Sequence, residues 1–135
     1  MSADKPVSVL VVDDNRFVLE STSLLLMNFG YRVESCSSPE QAIELFKKSP
    51  FDIVITDIKM PKVTGIELLG RIHAIDRDVP VILMTAYAEL EVAVGAVKEG
   101  AFDFIIKPYK PEYLVRAVEK AAKFSKLLKI EKNYT

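Results

Sequence analysis

Four apolar stretches of this sequence each end in side chains that can bind a cation or contact a phosphate group. These side chains are Asp13 with Asp14, Asp57, Thr85 and Lys107. Carboxylates on the ends of neighbouring strands, about 4.8 Å apart, repel by about 3 kcal/mol at an effective dielectric constant near 20. Three acids at one place therefore require raised pKa values or a cation, and Mg²⁺ favours one or two carboxylates with retained waters. We expect a magnesium site if the four stretches are adjacent strands.

Asp57 is the candidate nucleophile among these residues. It follows the β-branched run 53–56, which predicts a strand buried on both faces, and a Met-Pro pair then forces a loop. An aspartate oxygen can attack a phosphoryl group to form an acyl phosphate, while the Lys107 ammonium and the Thr85 hydroxyl stabilise the transferred group. This chemistry depends on positioning and charge and requires no general base.

Strands and helices are predicted to alternate along the chain. Apolar runs predict strands over 7–12, 31–36, 53–56, 80–84 and 101–106. Helical periodicity and capping residues predict helices that begin near residues 16, 39, 65, 90 and 111. There is no internal repeat and no Ser/Gly-rich linker, so five strands and five helices indicate one domain.

This alternation predicts a doubly wound α/β domain with a five-stranded parallel sheet, because right-handed crossovers place helices on both faces. The flavodoxin-like strand order 2-1-3-4-5 is one of two common solutions, and its switch point lies between strands one and three, where ligands bind. In this order, strands one, three, four and five end side by side. The candidate residues would then share one edge of the sheet.

Two of the predicted helices carry an apolar stripe of the kind that packs on a core. In the first helix, the stripe consists of Phe17, Val18, Leu24 and Leu25. In the fourth helix, it consists of Leu90, Ala93, Val94 and Val97.

The charge and composition argue against several function classes. With 18 basic and 19 acidic residues the formal net charge is −1, so no global field indicates nucleic acid or an anionic membrane as a partner. The single cysteine, Cys36, cannot form an internal disulfide, and with the single histidine, His73, it provides no cluster with zinc spacing. No stretch near the start has the length or flanks of a signal peptide or membrane span, which predicts a cytoplasmic protein.

Taken in order, the motifs resemble the receiver domain of two-component response regulators. The resemblance covers residues 7–124 and rests on four pieces of sequence, each at a predicted strand end. They are Val11-Val12-Asp13-Asp14, Ile55-Thr56-Asp57 followed by Met60-Pro61, Met84-Thr85-Ala86, and Asp103-Phe104 ahead of Lys107-Pro108. Their joint occurrence in this order is highly specific.

The resemblance implies a role for each candidate residue. Asp57 would be the phosphoacceptor, Asp14 would bind Mg²⁺ directly, and Asp13 would act partly through water. Asp57 and the backbone carbonyl of Lys59 would be further metal ligands. The phosphoryl-binding and switch residues would be Thr85, Lys107 and Phe104. Positions that modulate the reaction would be Lys59, Ala86, Tyr87 and Pro108, and the family commonly has a cis bond before this proline.

The resemblance also implies a signalling switch that catalyses only its own phosphorylation and dephosphorylation. A sensor histidine kinase or a phosphotransfer protein would donate the phosphoryl group in a Mg²⁺-dependent step. Phosphorylation would remodel the surface of helix four, strand five and helix five, and so control a homodimer, another partner or a C-terminal output domain. This domain itself is expected to bind neither nucleic acid nor a membrane.

The end of the chain extends the last helical pattern beyond the length needed to cover the sheet. No Gly or Pro stops the pattern after residue 124. We therefore divide the chain into a receiver domain, 1–124, and a C-terminal helical extension or start of a linker, 125–135.

Two other classes of function are alternatives to the signalling switch. A small Mg²⁺-dependent phosphatase or phosphotransferase would use Asp57 as an intermediate, but it normally needs a substrate pocket and an added acid/base, and the predicted connections are too short for a lid. A flavodoxin-like nucleotide or flavin binder is disfavoured because the sequence lacks a glycine- and hydroxyl-rich phosphate loop.

Overall fold

The structure is a computed structural model that describes the backbone of residues 5–134 and the side chains of residues 5–132. The strands are β1 (Ser8–Val12), β2 (Arg32–Cys36), β3 (Ile53–Asp57), β4 (Val81–Ala86) and β5 (Asp103–Lys107). The helices are α1 (Arg16–Asn28), α2 (Pro39–Lys48), α3 (Gly65–Ile75), α4 (Leu90–Lys98) and α5 (Pro111–Tyr134). A short 3-10 turn, Tyr87–Glu89, precedes α4. The predicted outer limits of the two chain segments, residues 1 and 135, lie outside the described residues.

The five strands form one parallel sheet in the predicted order β2-β1-β3-β4-β5. β1 pairs with β2 on one side and with β3 on the other, so the switch point lies between β1 and β3. Every residue of β1 and β3 is buried, because helices cover both faces of the sheet. The doubly wound α/β prediction is confirmed.

Alternate strand residues point to opposite faces, which gives the domain two apolar cores. On one face, α2, α3 and α4 cover a core that includes Leu10, Val54, Leu83, Phe46 and Leu68. On the other face, α1 and α5 cover a core that includes Val9, Ile55, Met84, Leu26 and Leu114.

The buried face of α1 differs from the predicted stripe. Two residues of that stripe, Phe17 and Leu24, are 79% and 59% exposed. The residues that α1 buries are Leu19, Thr22, Ser23 and Leu26. The two hydroxyl residues can face the core because each hydroxyl has a partner: Ser23 Oγ donates to Leu19 O at 2.7 Å, and Thr22 is hydrogen-bonded to Tyr109.

The fourth helix also packs through residues other than the predicted ones. α4 buries Ala93 and Ala96, whereas Val94 and Val97 are 42% and 37% exposed. Small alanine side chains let the helix lie close to the sheet, and the valines are then left on the outer surface. The prediction was correct for Ala93 and wrong for the two valines.

The last strand begins later than predicted, and the last helix continues past residue 124. β5 begins at Asp103 rather than at residue 101, because Ala101 N donates to Ala96 O at the end of α4 and the pairing with β4 starts at Asp103, opposite Ile82. α5 continues without a break to Tyr134. Residues beyond 124 contact the rest of the domain.

Ser125, Lys129 and Lys132 are among the side chains through which the last turns of α5 contact the domain. Ser125 is buried, and the ammonium groups of Lys129 and Lys132 form ion pairs with Asp52 and Asp78. These acids precede β3 and β4, so the end of α5 lies at the amino-terminal edge of the sheet.

Candidate functional site

The candidate residues lie at the carboxyl-terminal edge of the sheet. Asp13 directly follows β1, Asp57 and Lys107 are the last residues of β3 and β5, and Thr85 is the penultimate residue of β4. The strand order makes β1, β3, β4 and β5 consecutive in the sheet, so residues far apart in sequence meet at this edge.

The Lys107 ammonium lies between two of the carboxylates. Lys107 Nζ is 3.1 Å from Asp13 Oδ2 and 3.2 Å from Asp57 Oδ2. The Asp13 side chain is fully buried, and the Lys107 side chain is 21% exposed. Ion pairs in such a partly desolvated place are stronger than surface pairs, so Lys107 already offsets part of the repulsion among the acids.

Asp13 and Asp14 have different surroundings although they are adjacent. Asp13 Oδ1 accepts a hydrogen bond from the backbone N of Asn15 at 2.9 Å, and its other oxygen accepts from Lys107. The cap of α1 is Asn15, whose side chain accepts from Val18 N at 3.1 Å. Asp14 is exposed, so its carboxylate faces solvent at the site.

The three carboxylates form a group that fits a hard divalent cation. Asp13, Asp14 and Asp57 each offer one oxygen, and these oxygens lie within 4.8 Å of one another. Oxygens on opposite sides of an octahedral Mg²⁺ ion are about 4.2 Å apart, since each lies about 2.1 Å from the ion. Adjacent oxygens are about 3.0 Å apart, so the group is somewhat wider than a bound ion would need, and carboxylate oxygens are donors that Mg²⁺ prefers.

The charges of the site shift two pKa values. Burial has the largest effect on Asp57 and raises its pKa; the Lys107 ammonium opposes the rise, and the carboxylates of Asp13 and Asp14 add to it. Burial alone would lower the pKa of Lys107, but Asp13 and Asp57 outweigh burial and raise it above the ordinary value of 10.5. Lys107 is therefore a cation at neutral pH.

The two predicted switch residues, Thr85 and Phe104, lie on β4 and β5. Thr85 is fully buried, and its hydroxyl donates to the backbone carbonyl of Ala86 at 3.0 Å. Phe104 is half-buried and packs against the core on the α2, α3 and α4 side of the sheet.

The four predicted modulating residues are all exposed. They are Lys59, Ala86, Tyr87 and Pro108. Lys59 lies in the loop between β3 and α3, Tyr87 is 77% exposed directly after β4, and the bond between Lys107 and Pro108 is cis. Each lies within two positions of Asp57, Thr85 or Lys107 in the sequence.

Two structural features of the site were not predicted. The first is Gly65, whose backbone N donates to Ile58 O at 2.7 Å and where an added Cβ would lie 2.2 Å from Asp57 O. A glycine shortly after a strand-end acid could have indicated this close approach. The second is a hydrogen bond between Thr22 and Tyr109, for which no local signal exists, because the two residues are 87 positions apart.

The sequence profile of the response regulator receiver domain matches residues 9–119, which include every predicted site residue. The chain belongs to the response regulator receiver domain family. Among curated relatives of this receiver domain, the transcriptional regulatory protein ZraR of Escherichia coli (strain K12) is 39% identical over 115 residues, which cover 85% of this chain and 26% of that protein. The C4-dicarboxylate transport transcriptional regulatory protein DctD of Rhizobium meliloti (strain 1021) is 35% identical over 121 residues, 90% of this chain and 26% of that protein. The receiver domain thus spans about a quarter of the length of these relatives.

Solved structures agree with the receiver fold. A response regulator receiver domain protein from Clostridium thermocellum superposes with a TM-score of 0.87 at 35% identity, covering 90% of this chain and 98% of that one. NtrX from Brucella abortus, in complex with ADP, superposes with a TM-score of 0.91 at 26% identity, covering 97% of this chain and 30% of that one. Within residues 5–134, no helix of this receiver domain combines the length and apolar character needed to cross a membrane.

Proposed function

We propose that this receiver domain is a phosphorylation-activated signalling switch in which Asp57 accepts the phosphoryl group. The observation that carries the proposal is the Lys107 ammonium, 3.2 Å from Asp57 and 3.1 Å from Asp13. Phosphoryl transfer depends mainly on positioning and on neutralising charge around the transferred group. Lys107 is a cation within reach of the oxygens that a phosphoryl group on Asp57 would bring.

In the proposed reaction, a carboxylate oxygen of Asp57 attacks the phosphorus of a phosphohistidine on a sensor kinase or phosphotransfer protein. The new P–O bond forms as the P–N bond to the histidine breaks, and the electron pair of that bond returns to the imidazole nitrogen. Asp57 must be ionised to attack. Burial raises the pKa of Asp57, and the Lys107 ammonium opposes that rise, which favours the ionised nucleophile.

The residues proposed to hold Mg²⁺ are Asp13, Asp14 and Asp57, with the backbone carbonyl of Lys59 as a further ligand. When bound, Mg²⁺ would neutralise negative charge on the phosphoryl oxygens. Asp14 supplies an exposed carboxylate. Asp13 already accepts from Lys107 and from Asn15 N, which supports a less direct role for it, partly through water.

Thr85 and Phe104 are proposed to couple phosphorylation to a change of surface. The Thr85 hydroxyl donates to Ala86 O at 3.0 Å, and phosphoryl oxygens on the adjacent β3 would compete for it. If Thr85 moves toward Asp57, the half-buried Phe104 can turn further inward beside it. Such a shift needs the phosphoryl group to interact differently with the two conformations, and Thr85 supplies that difference.

The surface proposed to change is formed by α4, β5 and α5. It presents exposed apolar side chains, which are Val94, Val97, Ile106 and Tyr113. An apolar surface of this kind supports contact with a second copy, another partner or an output domain. The curated relatives are transcriptional regulators, which supports an output domain attached beyond residues 125–135. We assign nucleic-acid and membrane binding to neither the site nor this surface.

The proposal makes the protein a cytoplasmic switch whose chemistry is limited to its own phosphorylation and dephosphorylation. Lys59, Ala86, Tyr87 and Pro108 are proposed to set the lifetime of the phosphorylated state, because each is exposed and lies within two positions of Asp57, Thr85 or Lys107 in the sequence. A long cation at Lys59 and a ring at Tyr87 can shield the acyl phosphate from water. Replacing both with alanine should shorten the lifetime.

The experiment that tests the proposed function is incubation with acetyl phosphate and Mg²⁺ followed by intact mass measurement. A single phosphoryl adduct on the wild type and none on Asp57→Asn is the expected result. An adduct of normal stoichiometry on Asp57→Asn would place the phosphoacceptor elsewhere. Continuous phosphate release that saturates with an external metabolite would instead indicate a phosphatase.

A further inference from the structure

A hydrogen bond joins α1 to the loop between β5 and α5. Thr22 Oγ1 and Tyr109 OH are 2.5 Å apart. Thr22 is fully buried on α1, and Tyr109, two residues after Lys107, packs against the core that α1 and α5 share. The bond therefore connects the segment that starts at Lys107 to the helix that starts just after Asp13 and Asp14.

The Thr22 hydroxyl departs from the pattern of its neighbours on α1. Ser21 Oγ donates to Phe17 O at 2.9 Å, and Ser23 Oγ donates to Leu19 O at 2.7 Å. Bonds of this type to the carbonyl four residues earlier are the usual outcome for a hydroxyl inside a helix. Thr22 instead pairs with a side chain 87 residues away, so its hydroxyl makes a tertiary contact.

The position of Lys107 depends strongly on where its backbone lies. Within residues 5–134, β5 is at the edge of the sheet and pairs only with β4, while Asp57 and Asp13 lie at the ends of β3 and β1. Strands are about 4.8 Å apart, so the ammonium must reach across roughly 10 Å to the end of β3. The four-carbon lysine side chain covers only part of this distance and the Asp57 side chain covers the rest, so the contact depends on the end of β5 being held in place.

We propose that Tyr109 and Thr22 are positioning residues that keep the Lys107 ammonium between Asp13 and Asp57. The inference rests on the proposed function of the site. The hydrogen bond of Tyr109 links the chain just after Lys107 to Thr22 in the middle of α1. The ion pair of Lys107 links the end of β5 to Asp13, just before α1. With both contacts in place, the end of β5 cannot move away from the end of β1. Without the hydroxyl, the loop is free to shift and the ammonium leaves the acids.

A double-mutant cycle tests this inference. The rate of phosphorylation by acetyl phosphate is measured for wild type, Tyr109→Phe, Lys107→Met and the double variant. We expect Tyr109→Phe to lower the rate about tenfold in the wild-type background, as small displacements of a reacting group do, and to have no further effect when Lys107 is already Met. A purely structural role of Tyr109 would lower the rate equally in both backgrounds, which would overturn the inference.

Conservative variants separate the hydroxyl from the fold. Thr22→Val should reproduce the loss and Thr22→Ser should restore the wild-type rate, with thermal melting used to verify that each variant is folded. Tyr31→Phe is the matched control, because Tyr31 packs against the same core as Tyr109 and belongs to neither the site nor the α4, β5 and α5 surface, and it should keep the wild-type rate.

The outcomes also distinguish this inference from the proposed function. If Tyr109→Phe is phosphorylated at the wild-type rate, the inference is overturned and the proposed function is unaffected. A wild type that takes no phosphoryl group removes both.

Discussion

The Lys107 ammonium lies 3.2 Å from Asp57 although their strands, β5 and β3, are not neighbours in the sheet. The same nitrogen lies 3.1 Å from Asp13, so one cation serves two of the three carboxylates. Burial, together with the excess of acids over cations, leaves Asp57 in an environment that disfavours its charge. This environment determines how the site responds to substitution, pH and metal.

Asp57→Asn should give a folded protein that is at least as stable as the wild type at pH 7. Burial and the nearby acids raise the pKa of Asp57, so protonation stabilises the fold. That contribution is fully present below the ordinary aspartate pKa of 3.8 and is lost as pH rises through the raised folded-state pKa. Asparagine remains neutral, so the melting temperature of Asp57→Asn relative to wild type should increase between pH 3.5 and pH 7. A difference that shrinks over this range would contradict the assigned environment.

Asp14→Asn should weaken Mg²⁺ binding about tenfold or more while the melting temperature stays within about 2 °C of wild type. Asp14 is exposed and is a proposed metal ligand, so the change should remove a metal contact without opening the core. Isothermal titration with MgCl₂ measures the affinity. Equal affinity for wild type and variant would remove Asp14 from the metal ligands.

Gly65→Ala should destabilise the fold by about 1–3 kcal/mol, because the added Cβ overlaps the backbone that carries Asp57. It would lie 2.2 Å from Asp57 O and 2.9 Å from Ile58 Cα. Gly70→Ala on the same helix is the matched control, since a Cβ there meets no atom within 4 Å. Alanine is the better helix former, so this control should gain about 1 kcal/mol. Chemical denaturation measures the free energy of unfolding of both variants. Equal changes would show that the backbone at Asp57 shifts without cost to accommodate the added Cβ.

Lys129→Ala should loosen the last turns of α5. Lys129 pairs with Asp52, which also accepts from Ser8 N at 2.9 Å and Ser8 Oγ at 3.1 Å. Burial opposes ionisation of Asp52, but Lys129 and Ser8 outweigh it and lower its pKa. The stabilisation of the fold by ionised Asp52 is therefore present above the ordinary aspartate pKa, and it is lost as pH falls through the lowered folded-state pKa of Asp52. Because the lysine is largely exposed, the pair should contribute only about 0.5 kcal/mol at neutral pH.

Hydrogen exchange of amides 125–132 at pH 7 measures this loosening. Exchange should be faster in Lys129→Ala than in Lys126→Ala, which removes an exposed lysine from the same helix. Identical exchange in the two variants would show that the ion pair does not hold the end of α5.

The order of elements and the residues at the strand ends follow from local signals. Ser38 and Thr64 cap α2 and α3 by accepting from Gln41 N and Glu67 N, as their sequence spacing predicts. The β-branched run before Asp57 is a fully buried strand. Such signals involve residues within a few positions of each other, where the energetics of a turn or a cap do not depend on the rest of the fold.

The buried face of α1 was not predictable in the same way. Hydrophobicity favoured Phe17 and Leu24, yet the packed face contains Thr22 and Ser23. A hydroxyl is acceptable in a core only when a partner is present, and the partner of Thr22 is supplied by Tyr109 from another part of the chain.

The sequence by itself thus determined the alternation of strands and helices. With the family motifs added, it also indicated which of two common strand orders the sheet has. It further indicated which acids and which lysine share the carboxyl-terminal edge of the sheet. Only the tertiary structure decided that Lys107 bridges Asp13 and Asp57, that Tyr109 is tied to Thr22, and that Lys129 holds Asp52. The paired residues are 94, 87 and 77 positions apart for Lys107 with Asp13, Tyr109 with Thr22, and Lys129 with Asp52. Such contacts form because the folded sheet brings distant segments together, and no local propensity encodes which long side chain will reach which partner.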